Sequence, residues 1–477
     1  MTRLTILQLN DLHGYAEPHN EIRYGADGTP MFETLGGLAR IKTIFLRARA
    51  DNPGGVLALD NGDTFHGTHF AVADEAKALA PLVAELGFDA MTLHWEFAFG
   101  PDRVQALASE LPYPVLAANI YREESGELFL PAATIVERAG LRIGLIGLAC
   151  PIVDKTMPPH FSEGLRFEIG TRELHAHVAQ MRPHVDLLVV LSHVGFPQDV
   201  QFAKDVPGID VIVSGHTHNR MEHAIEVEGC LIFQSGCHGS FVGRLDLDLR
   251  DGELIGWTHA LIAVDESVSP DPALEAAVSE ALAGERDVMA EVVGRTDVAL
   301  HRYAMLSSPM DDLLLEAIAE VAGTQMAFSN GWRYGAPIPA GPITLGDLWN
   351  MVPTNPPVTL AEVTGAEIRQ MIEENLERTF AANPYDQMGG YIKRMRGVGL
   401  AFKAENPEGQ RIERLFLEGR PVDDSAVYAV GFITEQGVPA QFGKNRRQLP
   451  IDAITALRKR LARPFTHASV GSSIDLV

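Results

Sequence analysis

Six side chains in the first half of this sequence have the types and spacing of a metal-ligand set. They are Asp11 and His13 in NDLHG, Asp63 in DNGDTFHGT, His193 in SHVG, and His216 and His218 in SGHTH. In an extended segment residues i and i+2 point the same way, so each close pair can reach one ion. Asp63 follows Gly62, which lets the chain bend and present the carboxylate. A carboxylate between two cations can bridge them with its two oxygens. Oxygen and imidazole donors suit borderline or hard divalent metals. Two such ions about 3.5–4 Å apart are the usual device for activating water against a phosphorus centre. A lone Asp-x-His or His-x-His is weak evidence, because a single histidine after a strand is commonly structural. Their joint occurrence carries the reading.

Each residue sits at the polar end of a short, mostly apolar run. The runs 5–8, 56–59, 187–191, 211–213 and 231–233 are bounded by turn signals and predict buried strands. Helical patterns at 36–49 and 173–184 lie between them. Alternating strand and helix implies a layered α/β core with reactive residues gathered at the carboxyl ends of the strands. From about residue 270 the texture changes. The Ala- and Glu-rich stretch 271–293 predicts one long helix linking two domains. Beyond it, PMDDLLLEAIAEVAG and VTGAEIRQMIEENLERTF predict helices, the second with Thr364 as N-cap, and TQMAFSNGWRYG predicts a strand running into a loop. The expected division is a domain over 1–268, a linker helix over 269–296 and a second domain over 297–477.

A chain of 477 residues is too long for one ordinary core, which fits that division. Against 39 Lys and Arg stand 63 Asp and Glu, a net charge of −24 spread along the chain. Such a surface repels nucleic-acid backbones, so nucleic-acid polymers are poor partners. A small anionic ligand is compatible if metal ions reverse the field locally. Cys150, Cys230 and Cys237 make no disulfide framework and fit a reducing compartment. No run of 18 or more apolar residues and no signal-type segment is present, so the expectation is a cytoplasmic protein without a membrane partner.

The motifs NDLHG, DNGDTFHGT, SHVG and SGHTH, in this order, resemble those of the calcineurin-like metallophosphoesterases. GGLAR at 36–40 and the second domain narrow the resemblance to the 5′-nucleotidase branch, which includes UDP-sugar hydrolases and cyclic-nucleotide phosphodiesterases. The resemblance covers nearly the whole chain. It implies a four-layer αββα metallophosphoesterase domain followed by a smaller α+β C-terminal domain of the 5′-nucleotidase type. It also implies two divalent metal ions, manganese first, with zinc or iron suited to the same donors. One would be held by Asp11, His13, Asp63 and His218; the other would share Asp63 and take His193 and His216.

The family's pattern after the third strand is GNHEFDxG, where Asn ligates the second metal and His stabilises the leaving group. Here TLHWEFAFG places His94 at the Asn position, as a metal ligand and catalytic residue, and Trp95 at the His position. An indole offers one N–H and cannot transfer a proton. This HWEF motif is similar to that of the thiosulfohydrolases of the sulfur-oxidising Sox pathway, a sister group with two manganese ions that releases sulfate from a carrier cysteine. Their thiolate leaving group departs with little protonation.

In the second domain, the family's SNGGGIR is matched by SNGWRYG, which makes Asn330 and Arg333 substrate-binding residues. Arg333 also has a catalytic role, since its planar fork takes two oxyanion oxygens at once. Trp332 replaces a glycine and would narrow the pocket, and Tyr391 and Phe432 fall near the family's stacking aromatics. The Gly-Gly-Asp stretch of the family is not preserved in GFITEQGVPAQFG, which weighs against nucleobase recognition. The leading reading is a dinuclear hydrolase cleaving phosphate esters of nucleotides or related small molecules. A second is a thiosulfohydrolase-like enzyme acting on an S-sulfonated thiol. A third, from another class, is a non-catalytic metal-binding scaffold, against which the intact ligand set argues.

Overall fold

A computed structural model describes residues 2–25, 27–250, 253–434, 446–466 and 473–477. The chain forms two compact units, Met1–Glu285 and Arg286–Val477. In the first, the five predicted apolar runs are strands Thr2–Leu9, Val56–Asp60, Leu187–Ser192, Val211–Val213 and Cys230–Phe233. One sheet has the order Glu253–Ala263, Phe241–Arg250, Thr2–Leu9, Val56–Asp60, Ala90–Met91. The other runs Ile225–Val227, Cys230–Phe233, Val211–Val213, Leu187–Ser192, Leu141–Leu148, Ala133–Arg138.

The two sheets pack face to face. Leu4, Ile6, Leu57 and Leu59 of one interleave with Leu145, Val189, Leu191 and Val213 of the other, all fully buried. The opposite face of the first sheet is covered by Leu38–Asp51 and its neighbours, and Thr171–Met181 and Phe196–Asp205 cover the second sheet. Helix, sheet, sheet, helix is the expected four-layer αββα arrangement. Central strands in both sheets are parallel: Thr2–Leu9 beside Val56–Asp60, and Leu141–Leu148, Leu187–Ser192, Val211–Val213 and Cys230–Phe233 in succession. Their carboxyl ends therefore face one edge of the sandwich, where ligand-bearing loops belong.

The stretch 271–293 is not one helix. Pro272–Leu282 is a helix capped by the Asp271 carboxylate; a short turn Arg286–Met289 and a strand Val292–Thr296 follow. Gly284 and the β-branched Val292–Val293 pair explain the break. Leu274 and Val278 are buried in the core beneath Leu38–Asp51, so this helix is part of the first unit rather than a free linker.

The second unit is built on a five-stranded sheet of order Tyr391–Arg396, Met326–Gly331, Val427–Phe432, Pro357–Thr364, Arg447–Asp452. Helices Pro309–Ala322 and Gly365–Phe380 pack on it. Thr364 caps the latter as expected, in a reciprocal box with Glu367. A four-stranded sheet of order Arg420–Pro421, Ile412–Leu417, Val398–Phe402, Ser473–Leu476 completes an α+β unit. Its buried polar centre is Asp311, whose two carboxylate oxygens accept Arg302 Nε and Arg394 Nε at 2.8 Å each.

Lys393 in Tyr391–Arg396 is 2% exposed, and burial, with Arg378 nearby, pushes its ammonium down to about 7. The unfolded chain holds that proton up to about pH 10.4, so this residue makes stability rise with pH between about 7 and 10. Lys393→Met is expected to raise stability at pH 7, by at most about 5 kcal/mol at 1.36 kcal/mol per unit. The gain should shrink toward zero near pH 10. Denaturant titrations at pH 7 and 9.5 check this, and a pH-independent gain would contradict it.

Candidate metal centre

The strand ends bring all six predicted donors and His94 together. Two four-donor groups form, Asp11, His13, Asp63, His218 and Asp63, His94, His193, His216, with the ligand atoms of each within 4.8 Å of one another. Asp63 belongs to both. These are the two groups that the resemblance implied, with His94 added to the second.

Local backbone geometry does not follow the extended picture drawn from the sequence. Asp11, His13, Asp63, His216 and His218 all have positive φ, between 50° and 73°. Side-chain-bearing residues seldom adopt that region, and functional loops are where such strain is kept. Gly62, at φ 85°, closes the turn before Asp63; a Cβ there would lie 2.5 Å from the Thr92 carbonyl. The loops are held by a buried network. Asp60 Oδ1 accepts Gly62 N and Thr64 Oγ1, and the Asn61 amide donates to the Ser192 and Val213 carbonyls. This ties the ends of three strands across the two sheets.

Each ligand is aimed by a partner. His13 Nδ1 meets the His66 carbonyl at 3.0 Å and His193 Nδ1 the Asn61 carbonyl at 2.6 Å, which leaves both Nε2 atoms facing the centre. His13 Nε2 and His218 Nε2 lie 3.3 Å apart. Asp63 Oδ1 accepts the Trp95 amide at 2.6 Å, and Oδ2 stands 3.0 Å from His94 Nδ1 and 3.1 Å from His193 Nε2. His94 Nε2 is buried and has no hydrogen-bond partner among the described residues. Five imidazoles and two carboxylates converging in a buried space, with nitrogen facing nitrogen, is a donor set that fits divalent cations.

The carboxylates and imidazoles of the two groups shift one another's protonation. Against burial, which would raise them, His218 and His193 hold Asp11 below the usual carboxylate range, and His94 and His193 hold Asp63 well below it. Burial opposes a charged His193, but Asp63 and Asp11 raise it to about 9. Burial lowers His13 to about 4.

Sequence reasoning missed Glu96. Its Oε1 accepts the Thr64 and Phe65 amides at 2.7 and 3.2 Å, and its Oε2 accepts the His94 amide at 2.8 Å. The carboxylate locks the His94 loop to the Asp63 loop, and the only hint in the sequence was the Glu-Phe pair that TLHWEFAFG shares with the family's GNHEFDxG. Glu96→Gln sets an amide N–H against a backbone N–H on one side. Divalent-metal affinity is expected to fall about 10- to 100-fold, as for other lost ligand-orienting partners. Titration with Mn²⁺ checks it, and unchanged affinity would contradict the locking role.

His66 is also fully buried and stacks on Trp95 at 4.6 Å and 14°. It supports the indole rather than lining a pocket. His69 pairs with Glu285 at 2.5 Å. In the second unit, Asn330 Nδ2 donates to Thr434 Oγ1, and Arg333 donates to the Gly390 carbonyl with its guanidinium over Tyr391 at 5.5 Å. Tyr391 is half-buried between Arg333 and Arg394. Trp332 is 8% exposed and stacks on Tyr334 at 5.6 Å. Phe432 does not stand as a platform: it is 2% exposed and packs in the core with Phe328 and Val430. It ends a central strand, so its ring points into the sheet's covered face. Most of the loop that follows it, 435–445, lies outside the described residues.

Residues 4–220 match the calcineurin-like phosphoesterase family, and residues 290–433 match the 5′-nucleotidase C-terminal domain. The chain thus pairs a region of the calcineurin-like phosphoesterase family, a family of hydrolases, with a 5′-nucleotidase C-terminal domain. Among relatives, the trifunctional nucleotide phosphoesterase protein YfkN of Bacillus subtilis is 24% identical over 472 residues, covering 89% of this chain. The chain spans 30% of that protein's length. Two structures from Thermus thermophilus share the fold over 99% of this chain. Sulfate thiohydrolase SoxB, in complex with glycerol, has a TM-score of 0.89 at 25% identity over 96% of its chain. A 5′-nucleotidase precursor has 0.86 at 24% over 99% of its chain.

Proposed function

We propose that this protein is a dinuclear metal-dependent phosphomonoesterase that cleaves a phosphate ester of a nucleotide or related small molecule. The observation that carries the reading is the pair of four-donor groups sharing Asp63. Asp11, His13, Asp63 and His218 would hold one divalent cation, and Asp63, His94, His193 and His216 the other, with Mn²⁺ the ion proposed. Two such cations supply an activated water and a positive field for the phosphoryl oxygens. The chain's own part is orientation. The Trp95 amide fixes the Asp63 carboxylate, the Asn61 carbonyl fixes His193, and Glu96 fixes the loop that carries His94. Arg333 and Asn330 are the proposed substrate-binding residues of the second unit. The named activity of YfkN, a nucleotide phosphoesterase, supports the substrate class. Three buried cysteines, none in a disulfide, support a reducing, cytoplasmic setting.

One observation favours a second reading. Trp95 offers no transferable proton to a leaving oxygen, and a thiolate needs less protonation than an alkoxide. Hydrolysis of an S-sulfonated thiol fits that, as does the named activity of the SoxB structure. Metal-stripped protein reloaded with Mn²⁺ separates the two. Phosphate release from AMP, UDP-glucose, a 2′,3′-cyclic nucleotide or an aryl phosphate supports the first. Silence on all of them, with turnover of thiosulfate or S-sulfocysteine, overturns the first in favour of the second.

A further inference from the structure

Outside the seven residues of the centre, His19, Glu21 and His238 form a separate cluster of ligating groups, with one donor atom from each within 4.8 Å of the others. His19 and Glu21 alternate on one side of strand Pro18–Tyr24, so the strand's period of two aims both the same way. His238 lies in the turn after Cys230–Phe233, at φ 60°. Glu21 and His238 are fully buried.

Each imidazole is already arranged as a ligand would be. His238 Nδ1 faces the Cys237 sulfur at 3.5 Å, and its Nε2 is buried with no hydrogen-bond partner among the described residues. His19 Nδ1 lies 3.4 Å from the Glu17 carbonyl, and its Nε2 lies 3.1 Å from Ser240 Oγ. A metal-binding histidine commonly rests its other ring nitrogen on such an acceptor. Ser240 Oγ donates to Glu21 Oε2 at 2.8 Å. Glu21 Oε1 takes the Ile22 amide and Arg220 Nη2 at 2.8 and 2.7 Å. Arg220 thus occupies one carboxylate oxygen and leaves the other with the cluster.

We propose that this cluster binds a third divalent cation, of the borderline class that zinc represents. His19 Nε2, Glu21 Oε2 and His238 Nε2 are the ligands, and the Ser240 hydroxyl or a water takes the fourth position. Zinc bonds near 2.0–2.1 Å put tetrahedral ligand atoms about 3.4 Å apart, so side-chain shifts of about 1 Å close the site. Its role is structural. Strands Pro18–Tyr24 and Pro30–Gly36 pair only with each other among the described residues. The cation fastens that hairpin to the 234–240 turn, whose His238 amide donates to the Asp11 carbonyl at 2.6 Å. The hairpin is thereby joined to the loop that presents Asp11 and His13.

The test uses the full chain, stripped of metal, loaded with Zn²⁺ and desalted, with bound zinc counted by mass spectrometry. Wild type is expected to hold about three equivalents and His19→Ala about two. His19→Ala should also lose part of the Zn²⁺-dependent rise in Tm. Asp63→Asn, which damages the central pair, should still show the equivalent that His19→Ala removes, so failure at the centre and failure here are distinguishable. Equal zinc counts in wild type and His19→Ala overturn the proposal. If His19→Ala does not fold, zinc-edge anomalous diffraction from the wild type decides. A peak within about 2.3 Å of His238 Nε2 supports the site, and no peak there overturns it.

Discussion

Replacing Asp63 with Asn is expected to lower phosphate release at least about a thousandfold, about 4 kcal/mol of barrier, while the protein stays folded. Asp63 is the one residue in both donor groups, so its charge serves two cations at once. The amide keeps the side chain's shape, and asparagine tolerates the positive φ of 55° better than most residues. Its carbonyl oxygen can still accept the Trp95 amide. What is lost is the negative oxygen lying between His94 Nδ1 and His193 Nε2. Steady-state turnover at saturating Mn²⁺, with circular dichroism as the folding control, measures the effect. Turnover within tenfold of wild type would mean that the chemistry does not pass through the shared carboxylate.

Trp95→His should act in the opposite direction, raising turnover of alkyl phosphates about a hundredfold, the low end of what a positioned acid contributes. The indole is half-buried beside the centre, stacked on His66 and tilted 52° against His94 at 5.7 Å. An imidazole there would supply a proton donor beside the candidate metal centre. The gain should be large for alkyl esters, small for aryl phosphates whose leaving groups need no proton, and absent for S-sulfonates. Rates across a series of leaving groups check it. An equal gain on every substrate would show that the bulk of the ring, not the missing proton, limits the wild type.

Much of the centre was legible because strand ends advertise themselves. Apolar runs ending in Asp, His and Gly predicted where the chain would turn, and parallel strands then gathered those turns on one edge. The adjacent cluster was hidden for a physical reason. His19 and Glu21 sit on a hairpin with weak apolar patterning, and His238 lies in a turn five residues beyond the end of its strand, far from both in sequence. Only the tertiary fold puts them side by side. Phe432 failed as a platform because a single aromatic near a motif does not reveal which face of its strand is covered. The long helix expected over 271–293 failed because the Ala- and Glu-rich composition outweighed two local signals, Gly284 and the β-branched Val292–Val293 pair, where the chain leaves the helix and then enters a strand.

The most direct test of the dinuclear centre is anomalous diffraction at the manganese edge from crystals of the Mn²⁺-loaded protein. The geometry predicts two peaks about 3.5–4 Å apart on either side of the Asp63 carboxylate, the second within about 2.2 Å of a His94 ring nitrogen. A single peak, or two peaks not bridged by Asp63, would contradict the assignment.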